Sequence, residues 1–390
     1  MSSIKELYER LCMTAVFRSV TDSPLLCHFA EYAIADAQDK KIRAYAAFVG
    51  CIYEGGGSLS ECIKKLVFED ENVYVRSRAE GRTIAPEIER QAARELETFA
   101  ELSALRCEDF QRDMGVGYAA PFSSEKAELS ALYEERMKNI SKYGYGIFSS
   151  SPMFRLSDSG EIEAIVSADK TSLDSFIGYA DERGRVIANT EAFIAGRPAA
   201  NVLLCGDAGA GKSSTVKAVC NRYFGEGIRL IELRKDQLCR LPYVMGRISG
   251  NPLKFIIFID DLSFNQNDDN FSMLKAALEG SASAKADNAV IYATSNRRHI
   301  VKESFSGRDG DDIHRNDTIQ ETLSLSERFG LVVLFSKPDK RLYLEIVHGL
   351  AERYKIEIDR DELDIKAEAF ALRRGSRSAR CAEQFIESLM

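Results

Sequence analysis

The stretch that most constrains this chain is Asn201 to Thr215, NVLLCGDAGAGKSST. It reads as a short apolar strand, a glycine loop and the start of a helix. Gly206, four further residues, then Gly211, Lys212 and Ser213 give the spacing of a phosphate-binding loop. Glycines permit backbone angles that turn N–H groups inward and let phosphate oxygens come close. A helix that begins near Gly211 adds unsatisfied N–H groups and the positive end of its dipole. Lys212 is placed to reach the β- and γ-phosphates, and the Ser213 hydroxyl to ligate Mg²⁺. The lysine is expected to stand exposed when no phosphate is bound. At ordinary glycine usage a chain of 390 residues carries this spacing by accident on the order of one time in a hundred. An accident would not also be followed by Val216, Val219, Cys220 and Tyr223 at helical spacing.

A phosphate loop calls for a carboxylate at the end of a later strand. Phe255 to Ile259 is fully apolar and ends in Asp260 and Asp261. Asp260 is expected where a Mg²⁺ partner of Ser213 should lie. Further apolar strands are read at Ile228 to Leu233, Ala289 to Ala293 and Leu331 to Phe335, interleaved with helices. That pattern describes a parallel sheet covered on both faces. A helix from Asp181 to Ala195 precedes the strand that feeds the loop, and Gly196 ends it.

Four segments follow. Residues 1–143 form a mostly helical N-terminal domain, with Ile4, Leu7, Tyr8, Leu11 and Cys12 at helical spacing, a capping box at Ser58 and Glu61, Pro86 in a first turn, and a helix over Ser124 to Lys142. That domain carries no catalytic constellation and is read either as a recognition module or as a packing cap. Residues 144–170 are a linker with a hairpin turning at Asp158-Ser159-Gly160. Residues 171–337 hold the nucleotide-binding sheet, and residues 338–390 are three helices.

Composition narrows the setting. A net charge of −8 argues against broad electrostatic binding to nucleic acid or anionic membrane, while a local basic patch stays open. Nine scattered cysteines with no C-x-x-C pair fit reduced thiols in the cytoplasm rather than a disulfide frame or a zinc site. The longest apolar run, Ala44 to Tyr53, is far short of the roughly 20 residues that span a bilayer, and no signal peptide is apparent.

Taken together, the chain from about Leu173 onward resembles the AAA+ ATPases. GDAGAGKS, from Gly206 through Asp207, Ala208, Gly209, Ala210, Gly211 and Lys212 to Ser213, is similar to Walker A, with Ser214 next in line. FIIFIDD is similar to Walker B. Ser295-Asn296 looks like sensor 1, Ser326 to Gly330 like the segment that carries the arginine finger, here Arg328, and Arg377-Ser378-Ala379-Arg380 like sensor 2. Arg380 is the expected sensor 2 residue, with Arg377 its rival. Ile177-Gly178-Tyr179 lies where the family lines its adenine pocket. The strings NTEAF, AGRPA, NVLL, DDLSF, IYATSNRRH and SLSERFGL further resemble a bacterial group of AAA+ proteins described only as predicted ATP-binding proteins, and that likeness extends into the N-terminal helices.

The resemblance implies an α/β P-loop NTPase fold: a parallel sheet sandwiched by helices, with a C-terminal helical lid. It implies ATP and Mg²⁺ as cofactors, ATP hydrolysis coupled to conformational change, and a homo-oligomeric ring such as a hexamer acting on a macromolecular client that the sequence does not name. One departure bears on rate. AAA+ motors usually carry Glu after the Walker B Asp, and here Asp261 is one methylene shorter, which weakens a general base that must reach its water. A nucleotide-gated switch or loader with little turnover is therefore the alternative. A small-molecule phosphotransferase is opposed by the lid and by Arg328. Threading motors carry an aromatic–apolar–Gly pore loop after the second strand. Leu233 to Leu241 lacks one, and Tyr243-Val244-Met245-Gly246 imitates it weakly. Arg297, Arg298 and His299 read as an exposed polar loop, with contact to nucleic acid or a neighbour as the second reading.

Overall fold

The computed structural model describes residues 3–167, 169–262, 286–296 and 328–390, together with Leu274 and Leu278. The chain divides into two compact units, one of residues 1–150 with 250–252 and one of residues 151–249 with 253–390.

The first unit is helical: α1 (Ile4–Leu11), α2 (Arg18–Thr21), α3 (Pro24–Ile34), α4 (Gln38–Glu54), α5 (Leu59–Glu69), α6 (Val73–Ala79), α7 (Pro86–Ser103), α8 (Cys107–Met114), α9 (Leu129–Lys138) and α10 (Ile140–Tyr143). Its starts are set by local chemistry. Ser3 and Glu6 form a reciprocal capping box on α1, and Pro86 occupies the first turn of α7, where its missing N–H costs nothing. Ser58 accepts from the Glu61 amide, but the Glu61 carboxylate turns to Lys64 at 2.7 Å, so only half of the expected box forms at α5. The helix expected from Ser124 begins instead at Leu129. Ser103 Oγ donates to the Glu125 carbonyl at 3.1 Å and accepts from the Ala127 amide at 2.9 Å, which holds that segment extended. Phe17, Phe29, Phe48, Phe99 and Phe110 are wholly buried in the core of this unit.

The second unit is built on a seven-stranded sheet of order β2-β1-β4-β5-β6-β3-β7. The hairpin β1 (Met153–Leu156) and β2 (Ile162–Ala164) forms as read, and β1 also pairs in parallel with β4, so the hairpin is an edge of the main sheet. Then follow α11 (Ala180–Ile194), β3 (Val202–Gly206), α12 (Lys212–Tyr223), β4 (Ile228–Leu233), α13 (Leu241–Ile248), β5 (Lys254–Ile259), β6 (Ala289–Ser295), β7 (Leu331–Phe335), α14 (Lys340–Arg353), α15 (Arg360–Arg374) and α16 (Ala379–Glu387). Every pairing except β1–β2 is parallel. β3 and β5 have both faces buried, which is why they read as unbroken apolar runs rather than alternating ones. This is the α/β P-loop architecture expected of an AAA+ chain. Asn189 on α11 bonds the Ala200 amide and carbonyl, both at 2.9 Å, and so sets the start of β3. Among the described residues no helix is long and apolar enough to cross a membrane.

Candidate functional site

β3 runs between β6 and the edge strand β7, and its carboxyl end opens beside that of β6. In a parallel sheet that is where ligands gather. Gly206 closes the strand with φ 142°, and a Cβ there would stand 2.0 Å from the Phe335 carbonyl oxygen of β7. Any other residue would push β7 away. Gly211 (φ 82°) starts α12 with no side chain capping it, so the first amides of the helix keep their donors for an anion.

Lys212 departs from expectation. It is only 5% exposed. Its ammonium donates to the carbonyls of Gly206 and Asp207, each at 2.8 Å, and to Asn296 Oδ1 at 2.9 Å. Burial holds its pKa below the ordinary lysine value. The loop folds back over its own lysine because the strand ends of β3 and β6 lie side by side, leaving carbonyl acceptors within reach.

The acidic pair sits beside it. Ser213 Oγ donates to Asp260 Oδ1 at 2.6 Å, and Thr294 Oγ1 donates to the same oxygen at 2.5 Å. Thr294 Oγ1 in turn accepts from the Asp261 amide at 2.9 Å. Asp261 is exposed and takes the left-handed conformation with φ 52°, which a short polar residue tolerates better than a bulky one. Asn296 Nδ2 donates to Asp261 Oδ1 at 2.7 Å. Asn296 thus bridges Lys212 and Asp261.

Ser213 and Asp260 offer a neutral and an anionic oxygen side by side, hard donors of the kind Mg²⁺ takes. Mg²⁺ commonly arrives with phosphates and waters rather than in an all-protein cage. Among the described residues no group of three or more His, Cys, Asp or Glu side chains gathers to hold a metal. The donor set therefore fits a metal that comes with its nucleotide.

A cavity adjoins the loop. Its walls include Gly209, Ala210, Gly211 and Ser214 from the loop, and Ile177, Ile346 and Leu350 as an apolar side. Arg380 and Glu383 of α16 border it. Ile177 presses on Gly349 of α14, where a Cβ would lie 2.7 Å from Ile177 Cδ1. Gly178 (φ 71°) is pressed likewise against Leu342 and Ile346 and faces a neighbouring depression, not this cavity. Tyr179 is buried, and its hydroxyl donates to the Ser336 carbonyl at 2.6 Å. The two sensor 2 candidates part company. The Arg380 amide donates to the Gly209 carbonyl at 3.4 Å, whereas Arg377 makes two hydrogen bonds to Glu368 at 2.9 and 2.6 Å. Asp207 and Ala208 lie at the outer rim of the loop, with Ala208 exposed.

Arg328 lies apart from these groups. β7 pairs with β3 from Val202↔Leu331 to Gly206↔Phe335. Leu331 lies about 13 Å along the strands from the level of Gly206, and Arg328 precedes it, so Arg328 stands at the opposite end of the sheet. Tyr243 to Gly246 lie inside α13 with Val244 and Met245 buried, so they form no loop there. Arg297, Arg298 and His299, and Ser326 and Glu327 ahead of Arg328, lie outside the described residues.

Residues at the site that escaped the sequence reading include Thr294, Phe176, Arg183, Ile346, Leu350 and Glu383. Thr294 sat inside a strand read only for its apolarity, where a hydroxyl at the carboxyl end was the available signal. The others belong to helical or irregular segments that only folding brings to the loop.

The family described as "Protein of unknown function (DUF815)" matches residues 149–390. Chaperone protein ClpB 2 of Parasynechococcus marenigrum (strain WH8102) is 28% identical over 207 residues, 48% of this chain and 21% of that one. The alignment therefore spans about a fifth of that curated relative's length. Among solved structures, the Thermotoga maritima RuvB Holliday junction branch migration motor aligns with TM-score 0.33 and 15% identity, over 56% of this chain and 71% of that one. A substituted form of the same motor gives 0.34 at 15% identity.

Proposed function

The chain belongs to the DUF815 family, and from that membership and the geometry of its loop we propose that it binds ATP with Mg²⁺ and hydrolyses it, driving conformational change in a homo-oligomer. The observation that carries this reading is the meeting of Ser213 Oγ and Thr294 Oγ1 on one oxygen of Asp260, next to Lys212. No structural purpose requires a buried lysine ammonium, two hydroxyls and two carboxylates at one strand end. Phosphoryl transfer requires that set.

In this reading the loop amides and Lys212 take the phosphates, the lysine trading its two carbonyls for phosphate oxygens. Ser213 and Asp260 hold Mg²⁺, which supplies charge neutralisation at the β- and γ-phosphates when bound. Asp261 accepts the proton of the attacking water, and Asn296 orients that carboxylate. Arg380 meets the phosphates from α16. Ile177, Ile346 and Leu350 pack the base. Arg328, too far along the sheet for its own phosphates, serves the site of an adjoining subunit.

Lys212→Ala tests the core of the proposal. It should lose binding of a fluorescent ATP analogue by about 100-fold or more, because a phosphate-paired lysine contributes roughly 3 kcal/mol, and its nucleotide-free melting temperature should shift as well, since Gly206, Asp207 and Asn296 lose their donor. Equal affinity in mutant and parent would sink the assignment. The subunit contact has its own test. Lys212→Ala chains mixed with Arg328→Ala chains should regain ATPase activity, since each supplies what the other lacks.

One observation favours a second reading, a nucleotide-gated switch that turns over rarely. Asp261 has the shorter side chain, and one of its oxygens is already held by Asn296. Single-turnover phosphate release separates the two. A motor releases phosphate on every conformational cycle, whereas a switch holds unhydrolysed ATP through many.

A further inference from the structure

Arg183 on α11 has no part in the reading above. It is 7% exposed. Its guanidinium lies over the Phe176 ring, 4.8 Å from the centroid. No hydrogen bond or ion pair joins that guanidinium to another described residue. Glu182 is an electrostatic neighbour only, and burial outweighs it, holding the arginine below its ordinary pKa. Arginine is almost never this buried without a partner, because desolvating its charge is costly.

The position says what the missing partner is. Phe176 packs on the phosphate loop itself: a Cβ at Gly211 would stand 3.8 Å from Phe176 Cε1. Arg183 and Phe176 line the same cavity as Gly209 to Gly211 and Ser214. Lys212, Ser213 and Asp260 are not among the residues lining that cavity. The β- and γ-phosphates go with the lysine and the metal ligands, while loop amides cradle the α- and β-phosphates. Arg183 lines the cavity that the loop amides border, and Lys212, Ser213 and Asp260 do not, so the phosphate that fits its charge is one the loop amides hold and not the terminal one.

We infer that Arg183 is a nucleotide-binding residue that pairs with the α-phosphate, its guanidinium resting over Phe176. The inference rests on the nucleotide reading and adds to it a contact common to ATP and ADP. The planar fork of N–H donors can bond two phosphate oxygens at once, a geometry lysine cannot copy.

The test measures ATP and ADP affinity by calorimetry on the full chain, with Lys212→Ala as reference. Arg183→Met keeps the apolar stem on Phe176 and removes the charge. It should weaken ATP and ADP by the same factor, roughly 10- to 100-fold, while the nucleotide-free melting temperature stays level or rises, since an unpaired buried charge is gone. Arg183→Lys should fall between parent and Arg183→Met, and it decides the matter if the methionine variant does not fold. Parental affinity in both variants, with Lys212→Ala inactive in binding, overturns the inference and leaves the nucleotide reading standing. A loss confined to ATP overturns it too, because that marks a γ-phosphate contact. A melting temperature that falls along with affinity assigns Arg183 a packing role instead. A parent chain that binds neither nucleotide overturns the nucleotide reading and this inference with it.

Discussion

Arg136 in the helical unit is part-buried and Arg183 in the sheet unit is buried, and both are held below the ordinary arginine pKa by desolvation. Arg136 lies between two rings, 4.6 Å from the centroid of Phe68 and 4.7 Å from that of Tyr143. Arg183 has one ring, and it lines the cavity beside the phosphate loop. The same contrast holds for carboxylates. Glu95, 4% exposed, accepts from the amides of Ala15, Val16 and Phe17 at 2.7 to 3.1 Å and from Gln91 at 2.7 Å. Asp261 is exposed and keeps an oxygen free of protein donors among the described residues. The helical unit spends its buried charge on its own turns; among the described residues it leaves three buried oxygens without a partner, those of Thr14, Glu69 and Tyr133. In the sheet unit, Arg183 and Asp261 are the charges that the proposed nucleotide would meet.

Four experiments would break or sharpen that contrast. The largest effect belongs to Asp261→Asn, which should cut ATP turnover by about 10²- to 10⁴-fold, the usual weight of a general base, with nucleotide affinity retained. Phosphate release at the parental rate would put the base elsewhere. Asp261→Glu should raise turnover by restoring reach. Next comes Glu95→Ala. It strands three backbone amides and should lower the stability of the helical unit by about 3 kcal/mol, read as a shifted denaturant midpoint, without changing nucleotide affinity. A matching loss of affinity would mean the two units do not divide these tasks.

Arg136→Met is the direct counterpart of Arg183→Met and should cost about 1 kcal/mol of stability through lost cation–π contact. If both arginine variants melt alike, the distinction between a structural and a ligand-facing cation fails. The smallest effect is a pH slope. Burial raises the Asp70 carboxyl above its ordinary value of 3.8, against hydrogen bonds from Ser19 and Asn72. A raised carboxyl binds its proton more tightly in the folded state, so its contribution is full below pH 3.8 and is lost as pH climbs through the raised value. The stability difference between parent and Asp70→Asn should therefore move against the parent over that interval. The slope is about 1.4 kcal/mol for each tenfold difference in proton affinity between the folded and unfolded chain. Parallel curves would show that Asp70 titrates normally.

Much of the α/β unit was legible because its signals are local. The glycine spacing, the apolar strand ending in Asp260 and Asp261, and the helical periodicity of α12 each depend on residues within one turn or strand of each other. The helix start at Pro86 was legible for the same reason, whereas the reciprocal cap at Ser3 and Glu6 was not read and the one read at Ser58 and Glu61 forms only by half. Errors arose where another side chain, near or distant in sequence, competed for a cap or a backbone group. Ser103 delays α9 from a position more than twenty residues earlier, and Lys64 draws Glu61 away from Ser58.

By itself the sequence determined that this chain has a phosphate loop between a strand and a helix, an acidic strand end to serve it, and apolar strands that must be buried on both faces. Those follow from backbone sterics and side-chain period, which act over a few residues. Only the tertiary structure decided that Lys212 is sheltered, that Thr294 holds Asp260, that Arg380 rather than Arg377 touches the loop, and that Phe176 and Arg183 stand beside Gly211. Each of these joins elements far apart in the chain, and the order in which parallel strands pair chooses which ends become neighbours. No local propensity encodes that order. It is set by which arrangement buries the apolar faces while leaving every backbone polar group a partner.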